Sequence, residues 1–157
     1  MAKKNYVMAM YDRLKGLPFG KKLFTLYAAN KAPYFKTMSP LITKIEPGVC
    51  HCFIKKRKKV ENHIGTVHVI AICNGLEMAM GFMAEASIPK HLRWIPKGMT
   101  VNYTAKADSD IRCEAVLPNN EWVEGDLPVS VKAYDTNNVV VVDGVINLWV
   151  SAKKKSA

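Results

Sequence analysis

The chain has 157 residues, of which 49% are hydrophobic and 23% are charged, a balance typical of one soluble globular domain and not of a disordered or low-complexity protein. The formal net charge of +10 favours an anionic partner, such as nucleic acid, a membrane surface or a phosphorylated small molecule. A chain of this length can bury a core without disulfides or a metal.

The first third of the chain is predicted to be helical. Apolar residues recur at helical spacing over residues 6–17 and again over 23–27, and Pro18 and Pro33 interrupt or end these stretches. We interpret residues 1–38 as an N-terminal helical extension, which we expect to lie over an open edge of the fold or over the mouth of a pocket.

A β-hairpin is predicted to follow. Residues 41–46 form its first strand and residues 49–58 its second, with a Pro-Gly turn between them. Cys50 and Cys52 share one face of the second strand, and the four cysteines of the chain lack the spacing of a metal site. The N-terminal residues do not have the pattern of a signal peptide. We therefore expect a cytoplasmic protein with reduced thiols and no metal.

The central segment is almost continuously apolar from residue 67 to residue 88 and is long enough to span a bilayer. It also carries Glu77 and Glu85, and ionised groups at the centre of a membrane are costly. We therefore predict no membrane span but a buried helix over residues 67–86, with Thr66 as its N-cap.

The second half of the chain changes to alternating and β-branched patterns. Four strands are predicted, over residues 93–106, 111–117, 129–135 and 139–151. A helix that is apolar on all sides must be enclosed, and only a curved antiparallel sheet is available to enclose it. The sequence thus predicts an α+β domain at 39–152 in which a sheet wraps one long central helix, with a basic tail at 153–157. Small residues, among them Gly75 and Gly81, would let the sheet approach the helix closely.

Glu77 is anomalous within the predicted helix. Most residues within about 60° of it on the helical wheel are apolar, among them Ile70 and Met80. A carboxylate there costs on the order of several kcal/mol unless it is paired, and such environments are used for general bases. The alternative is a structural glutamate that is hydrogen-bonded to backbone or to the neighbouring Asn74.

A polar loop, residues 62–68, precedes the helix. The amides of a first helical turn have no partner within the helix, and the helix dipole favours negative charge there, so a carbonyl oxygen bound at this point would be polarised. His63 and His68 could act as acid, base or positioning groups. The alternative is that Asn62 and Thr66 cap the helix and that both histidines are ordinary loop residues.

These features combine into one pattern. The loop contains the motif Asn62-x-x-Gly65-Thr66-Val67-His68. With an acid nine residues after the histidine, at Glu77, the motif resembles that of the hotdog-fold acyl-CoA thioesterases of the PaaI-like group, which have an Asn, then Gly-Thr-x-His-Gly-Gly, then an Asp or Glu on the central helix. The run IPKHLRWIPKGM at 88–99 resembles a branch of that superfamily known as a domain of unknown function.

The resemblance implies a hotdog fold and a role for each matching residue. Glu77 matches the catalytic carboxylate, which acts as general base on water or as nucleophile on the thioester carbonyl. Asn62 and His68 match catalytic-loop residues that shape the site and position the thioester, and the amides near Val69 match the carbonyl-polarising donors. The expected substrate-binding residues are Gly65, Thr66, Val69, His63, Asn74, Arg93 and Lys97. Because the family's site takes its two halves from different subunits, a homodimer or a dimer of dimers is implied.

The implied substrate is an acyl-CoA or an acyl-carrier thioester, with coenzyme A as part of the substrate and no separate cofactor. The basic run at 55–59, together with Arg93 and Lys97, could attract the phosphates of coenzyme A. The alternative is that the run is a solvated strand end that discourages aggregation. Because no aromatic residues are interleaved in it, we do not expect nucleic-acid binding.

The sequence departs from the family pattern at one place. Val69 and Ile70 stand where the family has Gly-Gly, and two β-branched side chains crowd the space that glycine leaves open. This departure keeps a second hypothesis open, a non-catalytic hotdog protein that binds acyl-CoA or fatty acyl groups. A hotdog dehydratase is a weaker alternative, because its Pro-Gly-rich motif is not present.

Overall fold

The computed structural model describes residues 5–154, so residues 1–4 of the predicted extension and 155–157 of the predicted tail lie outside the described range. The helices are α1, Tyr6–Leu14; α2, Gly20–Lys31; and α3, Val69–Ser87. The strands are β1, Leu41–Glu46; β2, Val49–Ile54; β3, Leu92–Tyr103; β4, Ile111–Val116; β5, Gly125–Tyr134; and β6, Val140–Ala152. Short 3₁₀ segments cover Pro33–Met38, Lys58–Val60 and Pro118–Asn120.

The six strands form one antiparallel sheet in the order β1-β2-β4-β5-β6-β3. α3 packs mainly against β1, β2, β4 and β5, and its side chains Ile72, Leu76, Met80 and Met83 are fully buried. Burial of apolar side chains of this size stabilises the fold by about 1.5–3 kcal/mol each. The α+β architecture around one long helix is confirmed. α3 is the one described helix whose length and apolarity would allow it to cross a bilayer, and here it is the core helix of the domain.

The strand boundaries differ from the prediction by up to four residues, and the two largest differences have reasons that lie in the neighbouring strand. β2 ends at Ile54 rather than near residue 58, because β4 begins at Ile111, directly opposite Ile54. β5 begins at Gly125 rather than near residue 129 and includes Pro128. Proline is tolerated there because β4 pairs only with residues 130–134 of β5, which leaves Pro128 at a free edge.

The N-terminal extension covers one edge of the sheet. The hydroxyl oxygen of Thr25 in α2 accepts the backbone N–H of Ile42 in β1 at 2.9 Å. The hydroxyl of Tyr11 in α1 donates to the carbonyl of Thr43 at 3.0 Å. Tyr11 also packs edge-on against the buried ring of Phe24, with ring centroids 5.2 Å apart. The outer side of β1, the covered edge, is thus occupied by side chains of the extension.

The opposite edge of the sheet is open. β3 pairs with β6 on one side, and no other strand within residues 5–154 pairs with its second side, the open edge. The N–H of Thr104 donates to the Val141 carbonyl, and because backbone groups alternate in direction along a strand, those of Met99, Val101 and Tyr103 face away from β6. An unpaired strand of 12 residues is a template for pairing with another strand.

Gly75 and Gly81 have different surroundings in the structure. A Cβ on Gly75 would lie 2.6 Å from both Cys113 Sγ and Ile54 Cδ1, whereas a Cβ on Gly81 would lie 3.7 Å from its nearest neighbour, in Trp94. We expect Gly75→Ala to lower the free energy of unfolding by about 1–3 kcal/mol through overpacking. Gly81→Ala should raise it by about 0.5–1 kcal/mol through helix propensity. Urea unfolding followed by circular dichroism measures both, and two effects of the same sign would contradict this packing.

Candidate active site

The loop before α3 is held in place by the side chain of Asn62. Its Oδ1 accepts the backbone N–H groups of Ile64 at 3.2 Å and Thr66 at 3.1 Å, and its Nδ2 donates to Thr66 Oγ1 at 2.8 Å. Gly65 has a φ of +78°, in the left-handed region that favours glycine. Asn62 and Gly65 therefore determine the backbone conformation of the loop. The buried Thr66 ties the end of the loop back to Asn62 through its backbone N–H and its hydroxyl.

His68, and not Thr66, is the N-cap of α3, so the helix begins two residues later than predicted, at Val69. Nδ1 of His68 accepts the N–H of Ile70 at 3.1 Å. A neutral imidazole that accepts through Nδ1 carries its proton on Nε2, which leaves Nε2–H as a donor for a ligand. Because Ile70 N–H is used by the cap, the amides of Val69 and Ala71 are the first-turn donors that remain without an intrahelical partner.

A cavity of about 300 Å³, the loop cavity, opens beside these groups. Five of the residues predicted for the site line it: Asn62, His63, Thr66, His68 and Val69. Tyr103, at the end of β3, and Val142 of β6 also line it. Of the two side chains that replace the family's glycines, Val69 narrows the loop cavity, whereas Ile70 is 52% exposed.

Glu77 lies in a second and smaller cavity, the glutamate cavity, of about 160 Å³. Its half-buried side chain shares this cavity with Pro96, Gly98 and Met99 of β3 and with Ile146 of β6. Within residues 5–154 the carboxylate makes no hydrogen bond and no ion pair, so the contacts that a structural glutamate would need are not present there. The arrangement is a carboxylate that faces apolar side chains and remains free to act on a bound molecule.

The two cavities are separate within one chain. Glu77 follows His68 by nine residues of α3, a rise of about 14 Å along the helix axis. β3 lines both cavities, and its residues Met99 and Tyr103 are four positions apart, again about 14 Å. Within one chain, Glu77 and the residues of the helix start, His68 and Val69, therefore line different cavities.

The side of α3 that carries Glu77 is only partly covered by the chain's own sheet. Ile70 is exposed, and Cys73, Asn74 and Gly81 are half-buried. These four residues and Glu77 follow one another at spacings of one to four residues along one side of the helix, and we call them the open stripe. The open stripe adjoins β3, since Glu77 shares its cavity with that strand and Trp94 is the nearest neighbour of Gly81.

Arg93 and Lys97 do not reach either group of predicted catalytic residues. Both are exposed side chains of β3. Arg93 donates through Nε to Ser151 Oγ at 3.0 Å, and Lys97 forms an ion pair with Asp126. Neither residue lines the loop cavity or the glutamate cavity, so the structure separates them from His68 and from Glu77.

The basic run at 55–59 is largely engaged within the chain. Arg57 donates to the carbonyl of Met38 at 3.0 Å, and Lys56 pairs with Asp108 at 2.6 Å. Lys106, which no motif singled out, lies 3.4 Å from the same aspartate and lines the loop cavity. The sequence also carried no signal for Tyr103 as a site residue. It lies at the loop cavity because it is the last residue of β3, and it belongs to no motif.

A family model matches most of the chain. The family is described as Domain of unknown function (DUF4442), and the match covers residues 20–150. The chain belongs to this family. The matched region includes the Asn62 loop, α3 and both cavities, and no protein of curated function matches the chain.

Solved structures share the fold over most of their length. A structural-genomics crystal structure with the target name APC5556 is 38% identical, with a TM-score of 0.83, over 94% of this chain and 99% of that one. PA5026 of Pseudomonas aeruginosa, described as a probable thioesterase, is 21% identical, with a TM-score of 0.74, over 87% of this chain and 97% of its own. The thioesterase HI1161 of Haemophilus influenzae is 11% identical, with a TM-score of 0.72, over 88% of this chain and 95% of its own. The hotdog fold is confirmed, and so is the expectation from the run at 88–99 that the chain belongs to a domain family of unknown function.

The thiol of Cys73 reports on the charge of Glu77. Burial raises the pKa of Cys73, and the nearby carboxylate of Glu77 raises it further. We expect Glu77→Gln to lower that pKa, to increase the thiolate fraction and so to speed alkylation by iodoacetamide at pH 8 by a factor of roughly two to five. The other three cysteines are fully buried and should react slowly.

Glu85→Gln is the matched control for this measurement. Glu85 lies on an exposed part of the same helix, where it accepts a hydrogen bond from Trp94 Nε1 at 2.9 Å, and its replacement should leave the alkylation rate of Cys73 unchanged. A rate that responds equally to both substitutions, or to neither, would show that Glu77 is not the carboxylate facing Cys73.

Proposed function

We propose that the protein hydrolyses acyl thioesters, with Glu77 as the general base. The observation that carries this proposal is the unpaired, half-buried carboxylate of Glu77 in an apolar cavity on the central helix of a hotdog fold. A carboxylate without an internal partner is free to accept a proton from water. The proposal is supported by the description of two proteins with the same fold as thioesterases.

The loop cavity supplies the second half of the reaction. The amide of Val69 and the Nε2–H of His68, two residues that line this cavity, are donors that can bind the thioester carbonyl and stabilise its oxyanion. Glu77 takes a proton from water as the oxygen of that water bonds to the carbonyl carbon. The tetrahedral intermediate then breaks its C–S bond, and the thiolate leaves and takes up a proton. The products are a carboxylic acid and a thiol, and no separate cofactor is proposed.

We propose further that the active protein is a homodimer joined at the open edge. The extension blocks the covered edge, while the open edge presents backbone groups of Met99, Val101 and Tyr103. If two β3 strands pair antiparallel about a point near Val101, Tyr103 of one chain lies opposite Met99 of the other. The loop cavity of one chain then adjoins Glu77 of its partner, which removes the separation of about 14 Å found within one chain.

Coenzyme A is the proposed carrier of the acyl group. Lys106 lines the loop cavity, and Lys55 and Lys59 are exposed in the segment that leads into the loop. Their positive charge suits the phosphates of coenzyme A. The free cysteines are consistent with a reducing compartment, and we propose a cytoplasmic location.

One observation favours the alternative of a non-catalytic acyl-CoA-binding protein. Val69 lies in the loop cavity where the PaaI-like thioesterase pattern has glycine, and its side chain limits how closely a ligand can approach the backbone amides. Binding of the acyl group without polarisation of the carbonyl would follow from such crowding.

The proposed activity is tested with a panel of acyl-CoAs of different chain length. A thiol reagent detects the coenzyme A that is released. We expect turnover by the unmodified protein. Glu77→Gln should reduce kcat by about 10²–10⁴-fold because the base is lost, with little change in the Kd for acyl-CoA. Glu85→Gln is the control and should retain activity.

Two results would count against hydrolysis. Thermal stabilisation by acyl-CoA without turnover, the same in the unmodified protein and in Glu77→Gln, would identify the binding protein instead. Neither turnover nor binding with any acyl-CoA would contradict both functions.

A mixed dimer tests whether the site is shared between two chains. Glu77→Gln and His68→Ala should each be inactive alone, but random mixing gives half of the dimers one intact site, so co-expression should restore about a quarter of the activity. Val101→Pro, which removes a backbone N–H from the open edge, should give a folded monomer by light scattering and circular dichroism, with activity lowered at least tenfold. A fully active monomer would contradict the shared site.

A further inference from the structure

The turn between α1 and α2 exposes large apolar side chains. Residues 15–22 read KGLPFGKK, and within them Leu17 is 55% exposed and Phe19 is 77% exposed. Turns are usually built from glycine, proline and small polar residues. Two large apolar side chains on either side of Pro18, with lysines on both flanks, are therefore unusual at the tip of a helical hairpin.

The backbone at Phe19 makes its presence there more unusual. Phe19 has a φ of +59°, in the left-handed region that bulky side chains rarely adopt and that glycine or asparagine tolerates better. The ring is not part of the core; it lies 5.9 Å below the ammonium group of Lys22. Because Phe19 is conformationally unfavourable and contributes nothing to the core, we infer that its role is intermolecular.

The outer face of α2 extends this apolar surface. Leu23, Leu26 and Tyr27 are exposed and lie at helical spacing on one side, while Phe24 and Ala28 are buried on the other. A surface helix normally presents polar residues to solvent. α2 instead has apolar residues both on the side that packs against the fold and on the side that faces solvent. We call Leu17, Phe19 and these three exposed side chains of α2 the hairpin patch.

The segment that carries the hairpin patch is positively charged, and two of its lysines, Lys22 and Lys31, lie over the rings of Phe19 and Tyr27 in the patch. Residues 13–45 contain seven lysines and arginines and no aspartate or glutamate. Lys15 pairs with Asp12, and Lys44 pairs with Glu46. The other five form no ion pair with the part of the chain that the structure describes; they are Arg13, Lys21, Lys22, Lys31 and Lys36.

A groove next to Leu26 of the hairpin patch is large enough to hold part of a lipid molecule. It has a volume of about 460 Å³ between α2 and the start of β1, with Ala29 and Leu41 in its apolar lining and Lys22 and Lys36 beside them. This arrangement suits an anionic headgroup that carries an acyl chain.

We propose that the hairpin patch docks the protein on the surface of an anionic phospholipid bilayer. Leu17 and Phe19 enter the headgroup region, and the surrounding lysines bind lipid phosphates. Charge alone would also suit an acidic protein, but exposed apolar side chains at a turn in a cationic segment are the arrangement that binding at a lipid–water interface uses. α2 lies at the covered edge, so docking there leaves the open edge and both candidate site cavities free.

Sedimentation with lipid vesicles tests the proposal on the full chain. We expect binding to vesicles of phosphatidylcholine with 30% phosphatidylglycerol (roughly the anionic content that a polybasic surface needs) and at least tenfold weaker binding to phosphatidylcholine alone. Phe19→Asn should weaken binding to the anionic vesicles at least about tenfold, with a melting temperature equal to or above that of the unmodified protein because the backbone strain is relieved. Lys21→Gln/Lys22→Gln should weaken it about tenfold as well.

Matched controls separate the hairpin patch from general hydrophobicity and charge. Val139→Asn removes an exposed apolar side chain from the turn between β5 and β6, and Lys132→Gln/Lys153→Gln removes two exposed charges elsewhere. Both should bind anionic vesicles as the unmodified protein does. The proposal is overturned if anionic vesicles do not bind the protein, if Phe19→Asn binds them undiminished, or if the patch variants lose only the binding of an acidic protein such as an acyl carrier.

Discussion

The rest of the structure depends on one constraint: a largely apolar helix must be covered, and the chain's own sheet covers it on one side only. Leu76 and Met80 are fully buried, whereas the open stripe that contains Glu77 is not. The sheet shows the same asymmetry, since α1 and α2 occupy the β1 edge and nothing in the described chain occupies the β3 edge. Both uncovered surfaces meet at Glu77, so one second copy of the chain could cover them together.

Side-chain hydrogen bonds determine the shape of the loop before α3. The side chain of Asn62 is used in three hydrogen bonds within its own loop, and His68 holds the first turn of α3 through Nδ1. These bonds fix the backbone amides in place, which is the preorganisation that carbonyl polarisation needs. The two residues that stand in place of the Gly-Gly of the PaaI-like pattern therefore lie in different surroundings: Val69 narrows the loop cavity, whereas the exposed Ile70 belongs to the surface that the proposed partner would cover.

Local patterns predicted the elements well, and long-range contacts explain what they missed. The β1 strand and the central helix follow from alternation and apolar length, and the loop motif gave both the fold and five residues that line one cavity. The end of β2 depends on where β4 begins, and the start of β5 depends on its pairing with β6, neither of which a local pattern contains. Lys106 and Tyr103 reach the loop cavity through the pairing of β3 with β6, whereas Arg93 and Lys97, close to the helix in sequence, lie elsewhere on β3. The distance between Glu77 and His68 along the helix could have been calculated from their spacing in the sequence. The presence of two separate cavities could not have been predicted, because strands from distant parts of the chain line them.

The hydrogen bond from the Ile42 amide to the hydroxyl of Thr25 occupies the β1 edge of the sheet. This limits how copies of the protein can associate into larger assemblies. A sheet with two free edges can add copies indefinitely, because each new molecule offers another edge to the next. Here side chains of α1 and α2 occupy the β1 edge, so association through strand edges, as proposed, would end with a dimer. Any tetramer would have to join by its faces rather than its edges. Loss of α1 and α2 would expose the backbone groups of β1 as a second free edge. Copies of the chain could then pair at both edges, and we expect such a truncated protein to form fibres.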